Sequence, residues 1–182
     1  MRLFIGIPLA TEVIDALEAL SQRLRTADDG FRWNALQSWH ITLQFLGETS
    51  DTTCACLLER LKEISLPAFS VRMDGTGFFD RAGAFFVRVG DSTELSHLQK
   101  QVATATAQCG FVAEDRAFHP HITLARAKGA ARAHVIRRLQ NKITRNEEFP
   151  ASTAKEFLLY QAFLGPGGSR YEVRERFQLA NL

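Results

Sequence analysis

The tetrapeptide His-Ile-Thr-Leu occurs twice, at residues 40–43 and 121–124, in a chain of 182 residues that holds five histidines. Side chains on a β-strand alternate between two faces. Strict alternation puts His40 and Thr42 on one face, against Ile41, Leu43 and Phe45 on the other. It likewise sets His121 and Thr123 against Ile122, Leu124 and Arg126. Each copy therefore needs a core behind it and leaves a polar front. Imidazole and hydroxyl stand about 6.6 Å apart along each strand, two rises of about 3.3 Å. The economical fold is a pair of related halves whose polar fronts face each other.

The rest of the chain fits that plan. A short apolar run over 3–8 reads as a buried strand ended by Pro8. Residues 11–24 carry Val13, Ile14, Leu17, Leu20 and Leu24 at helical spacing, with Thr11 as the expected N-cap. Extended segments follow over 31–33 and 39–46, then a helix opened by Ser50 or Asp51 and running to 64. Strands are expected over 69–79 and 84–89, joined by a turn at 80–83. A third helix spans 95–109 and stops at Gly110. A strand over 121–125, a short helix over 131–139 and two strands over 155–164 and 171–179 complete the chain. The last two are joined by a Gly-Pro-Gly-Gly turn at 165–168. That turn is not a phosphate loop, because it lacks the Gly-Lys-Ser/Thr ending and no helix follows. Strands mixed with helices, several joined by tight turns, predict an α+β fold of mostly antiparallel sheet with outer helices around a central cleft. Residues 1–182 read as one bilobal domain.

Composition narrows the class. Twenty-two basic against 20 acidic residues leave a net charge of +2, which neither requires nor excludes nucleic acid. Cys54, Cys56 and Cys109 form no zinc motif, and Cys54 and Cys56 point different ways on a helix. All three are expected to be reduced. The N-terminal apolar run is too short for a signal sequence or a membrane span, so a cytoplasmic protein without membrane attachment is expected.

Two imidazoles and two hydroxyls in one cleft suit in-line displacement at phosphorus. A neutral histidine accepts the proton of the attacking water, and a protonated one supplies the leaving oxygen. Histidine does both because its ordinary pKa of about 6.5 lies near working pH. Thr42 and Thr123 can donate to the non-bridging oxygens, where charge concentrates. This set calls for no cofactor and no metal. A metal site made from His119, His121 and His40 is the competing arrangement, and no carboxylate or cysteine stands at a convincing spacing to complete it. A non-catalytic RNA-binding cleft is another. His97 and His134 fall in helical patterns and read as surface or packing residues, while His119 precedes Pro120 and is held extended. Phe45, Phe79 and Phe85 are candidate base-stacking residues, although most phenylalanines are core.

With these residues in view, the chain resembles the two-histidine phosphoesterases, and among them the RNA 2′,3′-cyclic phosphodiesterases, also called bacterial 2′-5′ RNA ligases. The likeness runs from RLFIGIPL through RWNALQSWHITLQFLG to FHPHITLARAKG and the two closing strands, with Trp39 where an aliphatic residue is usual. It implies a bilobal fold with a pseudo-twofold axis through a V-shaped cleft. It implies His40 as proton donor and His121 as proton acceptor, with Thr42, Thr123 and Arg126 on the phosphate. Alternation sends Arg126 to the opposite face, so the two arguments conflict there. The resemblance further implies hydrolysis of RNA 2′,3′-cyclic phosphate ends, tRNA fragments among them, to 2′-phosphates by a monomer. It implies reversible 2′-5′ RNA ligation as well. A small cyclic nucleotide or an ADP-ribose cyclic phosphate is the alternative substrate.

Overall fold

A computed structural model describes residues 1–112, 117–129, 132–143, 147–165 and 168–180. In chain order it contains β1 (Arg2–Pro8), α1 (Thr11–Leu24), β2 (Phe31–Trp33), a 3-10 turn (Leu36–Ser38), β3 (His40–Glu48), α2 (Asp51–Lys62), β4 (Phe69–Val71), β5 (Met73–Phe79) and β6 (Ala84–Val89). Then come α3 (Thr93–Ala107), β7 (His121–Ala127), α4 (Arg132–Gln140), β8 (Ser152–Ala154), β9 (Glu156–Gly165) and β10 (Gly168–Gln178). One sheet has the order β10-β9-β1-β3 and another β2-β7-β6-β5, with every neighbouring pair antiparallel. The two His-Ile-Thr-Leu strands thus lie in different sheets, as the expected two-lobed α+β fold requires.

The apolar backs are buried as alternation demands. Ile41, Leu43, Ile122 and Leu124 are each at most 3% exposed. Burying each is worth about 1.5–3 kcal/mol, which holds both motif strands with their histidines facing outward from the core. Helix α1 buries Val13, Leu17, Leu20 and Leu24. Ser50 caps α2 by accepting from the Thr53 amide at 3.1 Å. Gly110 follows α3 at φ +90°, a conformation that costs a residue with a Cβ.

Matching irregularities break the alternation in both motif strands. Across β1 and β3, Ile5 faces Gln44 and Gly6 faces Thr42, so Leu43 has no partner. Across β6 and β7, Phe85 faces Ala125 and Phe86 faces Thr123, so Leu124 has none. A bulge residue shifts every later side chain to the other face. Gln44 and Ala125 consequently join the core, while Phe45 and Arg126 turn to the histidine side. Strict alternation therefore fails at both residues, and Arg126 lines the cleft that the family resemblance implies for it.

Four further expectations need correction. Cys56 and Cys109 form a disulfide that ties α2 to the end of α3, with Cα atoms 5.9 Å apart, while Cys54 is free and buried. The pairing spans 53 residues and depends on how α2 and α3 come together, which spacing along the chain does not show. Thr11 is already helical; Ala10 is the N-cap, and its carbonyl accepts from Val13 and Ile14. The expected strand over 69–79 is two strands, because β4 leaves to pair with β8 while β5 pairs with β6. Phe85 is fully buried and cannot stack on a ligand. Gly165 pairs with Gly168 as a hairpin requires; Pro166 and Gly167 lie outside the described residues. No helix among the described residues is long and apolar enough to cross a membrane.

Candidate active site

The chain passes from one sheet to the other between β2 and β3. Asn34 pins that crossing onto β7: its amide donates to the Leu124 carbonyl at 2.8 Å and its Nδ2 to the Thr123 carbonyl at 2.9 Å. The 3-10 turn then delivers the chain directly to His40. The result is a cleft of ≈ 170 Å³ between the two motif strands. His40, Thr42, His121, Thr123 and Arg126 all line it, so the structure gathers every expected site residue in one place.

The histidines are held alike. His40 Nδ1 lies 2.8 Å from the Ser38 carbonyl, and His121 Nδ1 lies 2.7 Å from the His119 carbonyl. A carbonyl only accepts, so each Nδ1 carries a hydrogen and donates it two residues back. In the neutral ring Nε2 is then the acceptor. His40 Nε2 meets the Thr42 hydroxyl at 3.0 Å. His119 thus contributes its carbonyl to His121, while its own ring is exposed.

Aromatic rings wall both imidazoles. Phe4 lies 4.6 Å from His40, with Tyr171 edge-on at 5.4 Å and Tyr160 at 5.7 Å. Phe79 stands edge-on to His121 at 4.9 Å and Phe86 at 5.2 Å. Gly6 leaves room for this packing: a Cβ there would come within 2.9 Å of the Ile41 carbonyl and 3.2 Å of His40 Cδ2.

Burial sets the electrostatics. It lowers His40 from 6.5 to about 4, with the Ser38 carbonyl opposing and the charge of His121 assisting. His121 is also lowered, again first by burial; the His119 carbonyl opposes, and the charges of Arg126 and His119 assist. Burial pushes the Tyr160 phenol up to about 12, so it remains a neutral wall. Among the described residues no group of three His, Cys, Asp or Glu side chains is placed to hold a metal ion.

Sequence reasoning missed Arg32, Asn34, Ser169 and Tyr171, all of which line the cleft. Their signal depends on which strands pair. Arg32 faces Arg126 across β2 and β7, and Tyr171 enters from β10.

A two-lobed α+β protein with paired His-x-Thr strands across a cleft is the class defined by this fold and site. The family model for the 2′-5′ RNA ligase superfamily matches residues 10–161, and the chain belongs to that superfamily. Over 183 residues it is 27% identical to the RNA 2′,3′-cyclic phosphodiesterase of Archaeoglobus fulgidus, a match covering 98% of this chain and 100% of that protein. It is 40% identical over 98 residues to the Aeropyrum pernix RNA 2′,3′-cyclic phosphodiesterase, covering 52% of this chain and 56% of that one. The crystal structure of Escherichia coli LigT complexed with 3′-AMP superposes with a TM-score of 0.81 at 27% identity, covering 98% of this chain and 97% of that one.

Proposed function

We propose that this protein hydrolyses RNA 2′,3′-cyclic phosphate ends to 2′-phosphates. The observation that carries the reading is the convergence of two strands, each bulged just after its motif threonine, that bring His40, Thr42, His121, Thr123 and Arg126 to line one cleft. The names of the relatives supply the substrate class. In the forward reaction His121 Nε2 takes a proton from water as the water oxygen bonds to phosphorus. The bond from phosphorus to the 3′ oxygen breaks, and His40 Nε2 gives that oxygen its proton. Thr42, Thr123 and Arg126 hold the non-bridging oxygens through the transition state. Every step uses side chains of this chain, so activity should survive chelation. With the 5′-hydroxyl of a second RNA in place of water, the same displacement would form a 2′-5′ link: His121 takes the hydroxyl proton, the bond from phosphorus to the 3′ oxygen breaks, and His40 protonates that oxygen. The working unit in this reading is a cytoplasmic monomer, one bilobal domain, and tRNA fragments are among its substrates.

A second reading exchanges the histidines. His40 is the more deeply buried and sits near 4, which favours it as the neutral base and His121 as the acid.

The test is incubation with a short RNA ending in a 2′,3′-cyclic phosphate, with the product phosphate assigned. A 2′-phosphate supports the reading. A 3′-phosphate, or binding without turnover, overturns it.

A further inference from the structure

Arg32 and Arg126 are direct partners in the antiparallel register of β2 and β7. Side chains so placed have Cβ atoms about 4.5–5.5 Å apart, and like charges there destabilise the pairing. Arg23, Arg60, Arg170 and Arg176 all reach a carboxylate. Among the described residues neither Arg32 nor Arg126 has one within ion-pair distance. Both arginines line the same cleft as the two histidines. Two adjacent cations that no carboxylate among the described residues neutralises, beside a site for an anion, are an arrangement that a ligand completes.

One cyclic phosphodiester carries one negative charge and occupies one such group. Arg126 is the nearer to the chemistry: it shares β7 with His121 and Thr123, and His121 feels its charge. Arg32 lies on the outer strand of the sheet, where it is available to a second anion. We propose that Arg32 is a substrate-selecting residue that binds the phosphodiester on the 5′ side of the terminal nucleotide. The cleft then prefers the end of an RNA chain to a free nucleoside cyclic phosphate. This rests on the proposed function above.

Trp33 walls both the cleft and a neighbouring depression of ≈ 440 Å³ that carries Arg25 and Lys128. The Asp29 carboxylate there is engaged with the Thr26 and Phe31 amides and with Trp33 Nε1, which holds that indole as the shared wall. Asp28 also lines the depression and offsets its cations, so the selecting contact is assigned to Arg32 rather than to the depression.

The experiment compares kcat/KM on three substrates: a dinucleotide ending in a 2′,3′-cyclic phosphate, the matching nucleoside 2′,3′-cyclic phosphate, and the dinucleotide with an uncharged methylphosphonate link. The native protein should prefer the charged dinucleotide to each of the others by about tenfold or more, the factor expected of a charge-assisted contact. Arg32→Gln should bring both ratios towards one, and Arg32→Lys should keep part of them, because a lysine supplies charge without the fork. Native ratios near one overturn the inference, as do ratios that Arg32→Gln leaves unchanged. Failure of the native protein to turn over any of the three overturns the proposed function itself, a different result.

Discussion

Phe45 and Arg126 are counterparts in the two halves: each lies five residues beyond its motif histidine, and each reaches the cleft because a bulge after the shared threonine reverses the strand's parity. The equivalent positions carry different chemistry, a cation on one side and an aromatic ring on the other. Phe45 is 63% exposed, and its nearest ring is Phe4 at a centroid distance of 6.0 Å. An exposed ring at the cleft is suited to stack on the terminal base. Phe45→Ala should weaken RNA binding by about 1–3 kcal/mol. Its stability should stay within about 0.5 kcal/mol of the native protein. Titration with a non-hydrolysable RNA end, alongside thermal unfolding, checks both; unchanged affinity removes the stacking role.

The threonines differ in one respect that kinetics can read. Thr42 meets His40 Nε2, and the Thr123 carbonyl is tied to Asn34. Replacing either with valine removes a donor and keeps the shape. Each change should cost on the order of 1–3 kcal/mol in kcat/KM, as for a hydrogen bond to a charged group. Thr42→Val should also move the pH profile, since it alters the partner of a titrating ring, whereas Thr123→Val should lower the profile without moving it. Two variants at native rate would refute the role of these hydroxyls.

His119 and His121 are separated by what each contributes. His119 supplies a carbonyl to His121 Nδ1, and any residue at that position has a carbonyl. His119→Ala should retain most activity. His121→Ala, like His40→Ala, should lose about 10²–10⁴ in rate, the usual range for general acid or base catalysis. A reversed ranking would mean that the ring of His119 carries the chemistry.

The Cys56–Cys109 bridge lies on the helical layer, and neither cysteine lines the cleft. Closing a loop across 53 residues stabilises a fold by about 2–4 kcal/mol. Reduction should lower the melting temperature by about 2–4 °C per kcal/mol lost. Activity at 25 °C should be unchanged. A melting temperature indifferent to reductant, with free thiols demonstrated by titration, would show that the bridge contributes nothing. Loss of activity on reduction would place the helices in control of the cleft.

How much of this could be read in advance depends on the range of each interaction. Helix α1 needs only its own period, and its bounds coincide with the apolar spacing from Val13 to Leu24. The two motif strands are legible because Ile and Leu must be buried wherever the chain takes them. The bulges at Leu43 and Leu124 are not legible, because a bulge is a mismatch with a partner strand and the partners lie far away in sequence. Arg32 was invisible for the same reason: nothing local says that it will face Arg126. The break between β4 and β5 follows from β8, some 80 residues downstream, capturing the first half of an otherwise continuous strand. Local chemistry was readable, and register was not.

The pH dependence tests the division of labour between His40 and His121. A working cleft holds one protonated and one neutral imidazole, so the rate follows a bell set by two macroscopic pKa values. Burial lowers both histidines in the free protein, His40 to about 4. Raising the pH removes the acid, and lowering it protonates the base. With both values below 6.5, the singly protonated form peaks on the acid side of 6.5, and the optimum of kcat/KM should lie there. A bound phosphate anion favours imidazolium, so the optimum of kcat should lie at higher pH than that of kcat/KM. An optimum of kcat/KM above 8 would contradict the buried-imidazole account. The roles then separate with a nitrophenyl phosphodiester, whose leaving group needs no proton. If His40 is the acid, His40→Ala recovers much of its lost rate on that substrate and His121→Ala does not. Rescue of His121→Ala instead selects the exchanged roles favoured by the deeper burial of His40, and rescue of neither refutes the acid–base pair.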